Sequence, residues 1–320
     1  MNPYAQGNLP KTWQPWGFAA VSREERGVYG DSRVFYVQPD HPQATDLGNL
    51  GENPLLPLAT VNAAVTLARA YHGDTIYVMS SNSWQYSART ETGIVESLII
   101  PATKPGLRII GVGQGSLGVY WQPAATTEWC ITVHALDTII EGFCFWSGLL
   151  ASANGIYLDW TGGASALYGE NAIIHNCAFE DGIDIGVQLE FSWFNKISEC
   201  WFDCDDYGIY VDPAGSGSDY NSIHHNLFQD CGAAMGLRGA MHNFVWANSI
   251  YNSNAESGAL ATDEGIDTTG GAENQVYDNY FSCILPAAAN GDWNDMNTGD
   301  ATSAWIHNHC INGEAVSTPT

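Results

Sequence analysis

The sequence predicts an all-β solenoid with three strands to a coil, capped at its N-terminal end by one helix and preceded by an extended arm. One observation dominates. From about residue 140 a short phrase recurs: an aliphatic residue, then in most copies Asn or Cys three places on, then a large apolar residue five places on. Its anchors are Ile140, Ile174, Ile197, Ile223, Val245, Val276 and Ile306, closed by Phe145, Phe179, Phe202, Phe228, Ile250, Phe281 and Ile311. Such self-similarity means that each unit buries its apolar face only by stacking on its neighbours. A second observation sets the class. The anchors lie 34, 23, 26, 22, 31 and 30 residues apart, too uneven for leucine-rich or propeller repeats but natural for coils whose connecting turns vary in length.

Each unit also carries a second strand that opens, in most cases, with glycine. These begin at Gly155, Gly186, Gly208, Gly236 and Gly265. Alternation turns Ile156, Val187, Ile209, Leu237 and Ile266 inward and their neighbours toward solvent.

Ahead of the repeats, Val34–Val37 alternates as a strand, and a loop rich in Pro, Gly and Asn follows. Thr60 then supplies the N-cap of an amphipathic helix expected over Val61–Tyr71, with Gly73 as its stop, and a strand over Thr75–Val78. Short apolar strands (Leu98–Ile100, Leu107–Val112, Val119–Trp121 and Ile131–Val133) are too closely spaced for helices to intervene. The reading divides the chain into an arm (1–33), a cap (34–79), the solenoid (80–312) and a short tail (313–320). The arm carries Trp13, Trp16 and Phe18 without periodicity, which marks it as an assembly segment or a cover for the solenoid's first coil.

Composition narrows the partners. The 320 residues carry 10 Lys plus Arg against 35 Asp plus Glu, a formal charge of -25, which repels a phosphate backbone and an anionic bilayer alike. Nucleic acid and membrane are therefore not expected as partners, and no apolar run is long enough for a span. After Arg108 only Lys196 and Arg238 are basic, so a neutral glycan, a metal ion or a basic protein surface suits the repeat region better. Met1–Lys11 shows no positive segment followed by an apolar one, so no signal peptide is expected. The eight cysteines are spread over the chain and read as free, core-filling thiols, although Cys177 and Cys200 share a register position within disulfide range.

These residues resemble the right-handed parallel β-helix family, also called the pectin-lyase-like superfamily, over about residues 34–312. The N-terminal part looks like that family's usual cap. Asn195, Asn221, Asn243 and Asn274 precede the anchors, Asn226, Asn248 and Asn279 follow them, and both sets look like its stacked asparagine ladders. The resemblance implies fold; among activities it embraces polysaccharide lyases, glycoside hydrolases, phage tailspikes and virion attachment proteins. No stretch matches a pectate-lyase or polygalacturonase motif, so no catalytic residue is carried over.

Candidate chemistry lies on the solvent face of the second strand. In register, Asp159, Glu190 and Asp212 form a carboxylate ladder. Rungs of roughly 5 Å bring neighbours near the retaining-glycosidase separation and alternate members to the upper end of the inverting range. Tyr157, Trp160 and Tyr210 offer flat faces to a sugar, and Arg238 a guanidinium for a uronate. The turn with Asp203, Asp205 and Asp206 offers a loose calcium site, but Ala214 stands where an EF-hand needs Glu. No other cofactor is expected. His224 and His225, as strand neighbours, should face opposite sides, and His307, His309 and Cys310 lack the second pair a zinc site requires.

The expected function is a virion structural or attachment protein, tailspike-like or capsid-decorating. It would be a homotrimer, located on the particle, held to other virion proteins by the arm and in contact with host polysaccharide. The alternative is a polysaccharide lyase or glycoside hydrolase acting through the carboxylate ladder.

Overall fold

The two halves of the repeated phrase belong to different sheets. A computed structural model describes residues 32–79, 93–112, 119–147, 150, 152–159, 169–180, 182–211, 217–252, 264–268, 270–283 and 302–310. Within it, each anchor sits on a three-residue strand such as Lys196–Ser198 and each closing Phe on the next, such as Trp201–Phe202. Between them the chain turns a corner through one left-handed residue. Gly142, Asn176, Glu199, His225, Ala247, Asp278 and His307 occupy that corner on successive coils, all with φ between 50 and 80°. Only Gly142 takes this conformation without a side-chain penalty.

Among the described residues, stacked corners and strands build three wholly parallel sheets of 10, 9 and 7 strands. Sheet A carries the anchors, sheet B the closing Phe residues and sheet C the second strands. The chain visits A, B and C in turn, which makes a right-handed parallel β-helix.

Its core is made of columns. Ile140, Ile174, Ile197, Ile223, Val245 and Val276 stack in register on sheet A and are fully buried. On sheet B, Phe145, Phe179, Phe202 and Phe228 stack at centroid separations of 5.0, 4.8 and 4.7 Å. Each such pair adds about 0.5–1.5 kcal/mol beyond its buried area. The glycines of sheet C make room for them: a Cβ on Gly155, Gly186 or Gly208 would lie 2.6, 2.7 or 2.6 Å from Cδ1 of Phe179, Phe202 or Phe228.

The turns are satisfied by amide ladders. Asn195 Nδ2 donates to Asn221 Oδ1 at 2.9 Å, Asn221 to Asn243 at 3.0 Å and Asn243 to Asn274 at 3.1 Å. A second column runs Asn226, Asn248, Asn279, Asn308 with links of 3.0, 2.9 and 3.1 Å. Below Asn226 the same position holds Cys200 and Cys177, and the backbone N–H of Cys200 donates to Asn226 Oδ1 at 2.9 Å. Cys130, Cys144, Cys177, Cys200, Cys204 and Cys231 are buried free thiols.

At the N-terminal end the helix runs only Val61–Leu67, with Ala68 as C-cap at φ -57° and ψ 139°, shorter than the expected Val61–Tyr71. It stops early because Ala68 leaves the helical region and the Asp74 carboxylate takes the backbone N–H of Arg69 at 2.7 Å. Its start is held as expected: Thr60 Oγ1 accepts from Ala63 N–H at 3.1 Å. Glu96 adds a carboxylate across the first turn, accepting from Val61 and Asn62 N–H at 2.8 and 2.9 Å, which also suits the helix dipole.

Candidate functional site

Sheet C carries two outward columns, half-buried over most of their length and buried at Gly236, Ala233 and Asp267, and both hold aromatic rings. One runs Thr132, Tyr157, Gln188, Tyr210, Gly236, Asp267; the other runs Trp129, Asn154, Ile185, Tyr207, Ala233. Trp129 and Tyr157 stack with centroids 5.1 Å apart and planes 25° apart. Farther along the axis, Tyr207 and Tyr210 lie 4.7 Å apart at 35°.

The register corrects two expectations. In the last coil described, Trp305 rather than Ile306 pairs with the Val276 anchor, and Ile306 is 48% exposed. Met235, not Leu237, continues the column of Ile209, so Gly236 rather than Arg238 follows Tyr210. The rings explain the shift: a Cβ on Gly236 would lie 2.9 Å from Cε1 of Tyr207 and 3.0 Å from Cδ2 of Tyr210, so that outward place admits only glycine. Arg238 lies just beyond the strand and is ion-paired with the buried Asp267.

At the edge of this face, where sheet C ends, the chain places His134, Asp159 and Glu190 on successive coils, each directly after an inward-facing Val133, Leu158 or Leu189. Backbone bonds fix the stagger, with Asp159 N–H donating to Val133 O at 3.1 Å and Glu190 N–H to Leu158 O at 3.0 Å. His134 Nε2 meets Asp159 Oδ2 at 2.9 Å, and both side chains are 18% exposed. Two expected members of the ladder, Asp159 and Glu190, thus stand on neighbouring coils. Asp212 and Trp160 lie outside the described residues, as do Trp13, Trp16 and Phe18.

His134 is absent from the expected set. Only its spacing, one coil before Asp159 and directly after an inward valine, signals it. The pair has the form of a carboxylate-oriented imidazole, an arrangement suited to general-base work.

A further carboxyl pair lies at the opposite edge of sheet C. Asp206 N–H donates to Asp184 O at 3.0 Å, so the two side chains share a column. Desolvation first, then the Asp184 charge, raises the Asp206 carboxyl above its ordinary range, while Arg238 opposes the shift. Asp203 and Asp205 follow the same turn, their N–H groups bonded to Phe179 O and Ile183 O at 2.8 Å each.

Sheet A bears aromatic columns of a different kind. Phe194, Tyr220 and His242 take left-handed φ values of 58–59° just before the asparagine ladder and stack at 5.4 and 4.8 Å. His224, Trp246 and Tyr277 stack at 4.2 and 5.8 Å. His224 and His225 do not face opposite sides as alternation requires: their Nδ1 atoms are 2.8 Å apart, because His225 occupies the left-handed corner.

Among the described residues no group of three or more His, Cys, Asp or Glu is placed to hold a metal ion, and no helix is long and apolar enough to cross a membrane.

Comparison with solved structures places the architecture. The tailspike protein 2 enzymatically active domain of bacteriophage CBA120 superposes with a TM-score of 0.54 at 13% identity, covering 88% of this chain and 43% of that one. The full-length tailspike protein 2, from an Escherichia coli O157:H7 bacteriophage, gives 0.46 at 11% identity over 87% of this chain and 37% of the other. The lacto-N-biosidase of Eubacterium ramulus gives 0.38 at 10% identity over 87% and 68%. This chain therefore spans less than half the length of either tailspike chain. Curated protein sequences give no match. One family model, described as periplasmic copper-binding protein (NosD), matches residues 147–313, just over half of the chain, and the chain belongs to that family of pectin-lyase-like β-helices.

Proposed function

We propose that the chain is a virion structural or attachment protein, tailspike-like or capsid-decorating, whose outward sheet C face contacts host glycan. The aromatic run of Trp129, Tyr157, Tyr207 and Tyr210 along one face supports this most. Flat rings spread along the solenoid axis offer apolar faces to successive sugars of a chain lying lengthwise, and neighbouring Asn154 and Gln188 supply hydrogen bonds. The charge of -25 favours a neutral glycan over a polyanion. At the other end, Leu47, Leu50 and Leu55 are 89, 66 and 69% exposed. These exposed leucines, together with the Trp13, Trp16 and Phe18 of the sequence's first 33 residues, suit attachment to other virion proteins. A homotrimer on the particle is part of the proposal. Mass spectrometry of purified virions and sedimentation of the purified chain test it; a protein found only as a free monomer, absent from particles, would contradict it.

The His134–Asp159 pair favours a second reading, cleavage of the bound glycan. Hydrolysis fits better than elimination, because a uronate lyase needs a cation at the substrate carboxylate, and Arg238 is already paired with Asp267. Two coils, ~9.6 Å, separate His134 from Glu190 along the axis, near the upper end of the separation that admits a water for inverting hydrolysis. Reducing-sugar release on a glycan panel tests this reading. It requires a loss of at least ~100-fold on replacing His134 with Ala, and unaltered release in that variant would sink it.

The family description names copper, and among the described residues no group of three or more His, Cys, Asp or Glu is placed to hold such an ion.

A further inference from the structure

Two pairs of cysteines stand on adjacent coils near the middle of the solenoid. Cys177 and Cys200 occupy the place that Asn226, Asn248, Asn279 and Asn308 hold in later coils, so the hydrogen-bonded amide column stops where the thiols begin. Trp201 N–H donates to Cys177 O at 2.9 Å, which sets the two cysteines one coil apart and in register. The Cys200 thiol leans toward the earlier coil, with Sγ 3.8 Å from Ile174 O. Cys204 and Cys231 form the second pair: Gly232 N–H donates to Cys204 O at 3.3 Å, and Cys231 Sγ lies 3.5 Å from Phe202 O, on the coil of Cys204. In both pairs the sulfurs are close enough to hydrogen-bond each other. A coil spacing of roughly 4.8 Å places their Cα atoms within the span a disulfide bridges, about 4.4–6.8 Å. Cys130 and Cys144 differ: the Cys130 thiol meets Trp121 O at 3.8 Å, and Cys144 stands in register with Tyr120 and Ala178.

We propose that Cys177–Cys200 and Cys204–Cys231 are sites of disulfide formation between coils, with a low-molecular-weight disulfide as the oxidant. In each pair one thiolate attacks the small disulfide, forming a mixed disulfide and expelling one thiol. The partner thiolate then attacks the protein sulfur of that mixed disulfide, closing the bond between coils and expelling the second thiol. Two electrons and two protons pass from the protein pair to the small disulfide, which leaves as two thiols. Burial decides when this occurs. Desolvation raises Cys200 and Cys204 well above the ordinary thiol range, so thiolate is scarce in the folded, reduced chain and exchange there is slow. Oxidation therefore proceeds while the chain folds, before the coils close over the sulfurs. The first bond ties the coil of Gln188 to that of Tyr207 and Tyr210, and the second ties the latter to the coil of Gly236. Covalent links of this kind persist where the medium is oxidising, the condition outside a cell.

The full chain, denatured and reduced, is refolded once in a glutathione redox buffer and once under excess reductant, and free thiols are then counted in denaturant. The eight cysteines should give four free thiols in the first sample and eight in the second. Peptide mapping without reduction should yield Cys177 joined to Cys200 and Cys204 joined to Cys231, and the oxidised form should melt roughly 5 °C or more above the reduced one. C177A should keep only the Cys204–Cys231 bond and C204A only the other, each with a smaller rise. Circular dichroism verifies the fold of each variant, and the wild-type map stands without them. Eight free thiols in both samples, other pairings in the map, or an oxidised form that melts at or below the reduced one would each overturn the assignment. None of these outcomes bears on glycan contact, which the reduced chain reports separately.

Discussion

Asn221 Oδ1 accepts from both the backbone N–H and the side-chain Nδ2 of Asn195, one coil away, at 2.9 Å each. Its own Nδ2 donates to Ser192 O, Ser218 O and Asn243 Oδ1. One buried amide thus closes the turns of three coils. Replacing Asn221 with Ala strands the buried Asn195 N–H and two carbonyls, and each unmet group costs about 1–3 kcal/mol. Urea unfolding should show that loss, whereas Asn308→Ala, in the last rung described, should cost less. Equal stability of N221A and wild type would deny the ladder its role.

The phenylalanine stack and the glycine column specify each other. Gly186→Ala would press a methyl 2.7 Å from Phe202 Cδ1 and 2.6 Å from Gly208 O, and overpacking of this kind costs about 1–3 kcal/mol. Phe202→Leu in the same chain should recover part of it, because the ring edge is one of the two obstacles. A double-mutant cycle reads the coupling; strict additivity would mean that the two positions do not touch.

Acid should unfold the protein partly through His224. Its folded-state pKa, lowered to about 4, lies below the ordinary 6.5, so the unfolded chain binds the proton first. Stability from this group is complete above pH 6.5 and is lost as pH falls toward 4. Glu96, Asp206 and Asp219, whose carboxyls burial raises, act the other way, gaining stability as pH falls through their folded values. The comparison is therefore wild type against H224N. The variant's midpoint should decline less steeply between pH 6.5 and 4, by an amount reduced because the ring is partly exposed; parallel curves would contradict the burial argument.

Native thiols should be silent. Cys130, Cys177, Cys200, Cys204 and Cys231 are at most 8% exposed and unlinked, and only a thiolate attacks a disulfide reagent. Reaction with Ellman's reagent should therefore be slow at these buried thiols in the folded chain and complete on unfolding. A shortfall of thiols in denaturant would reveal disulfides.

The sequence carried the architecture clearly because a solenoid writes its coil into every repeat. Ile174, Ile197 and Ile223 mark the same place, and so do Asn195, Asn221 and Asn243. What it concealed was local backbone state. Nothing distinguishes a left-handed His225 from an ordinary strand residue, except that its column also holds Gly142, Asn176 and Asp278, residue types tolerant of that conformation. The slip at Met235 was hidden because Gly236 resembles the other strand-opening glycines, although it serves the tyrosines outside rather than a phenylalanine inside. His134 escaped notice because its partner is 25 residues away, and only the register of three coils makes them neighbours.

Glycan contact along sheet C is the central claim, and a binding panel of neutral and acidic oligosaccharides tests it most directly. Wild type should bind a neutral oligosaccharide with an affinity that falls about 5- to 30-fold, ~1–2 kcal/mol per lost ring contact, in W129A and Y157A, with thermal melting of both variants as cooperative as that of the parent. Binding unchanged in both variants, or none to any glycan on the panel, would contradict the account.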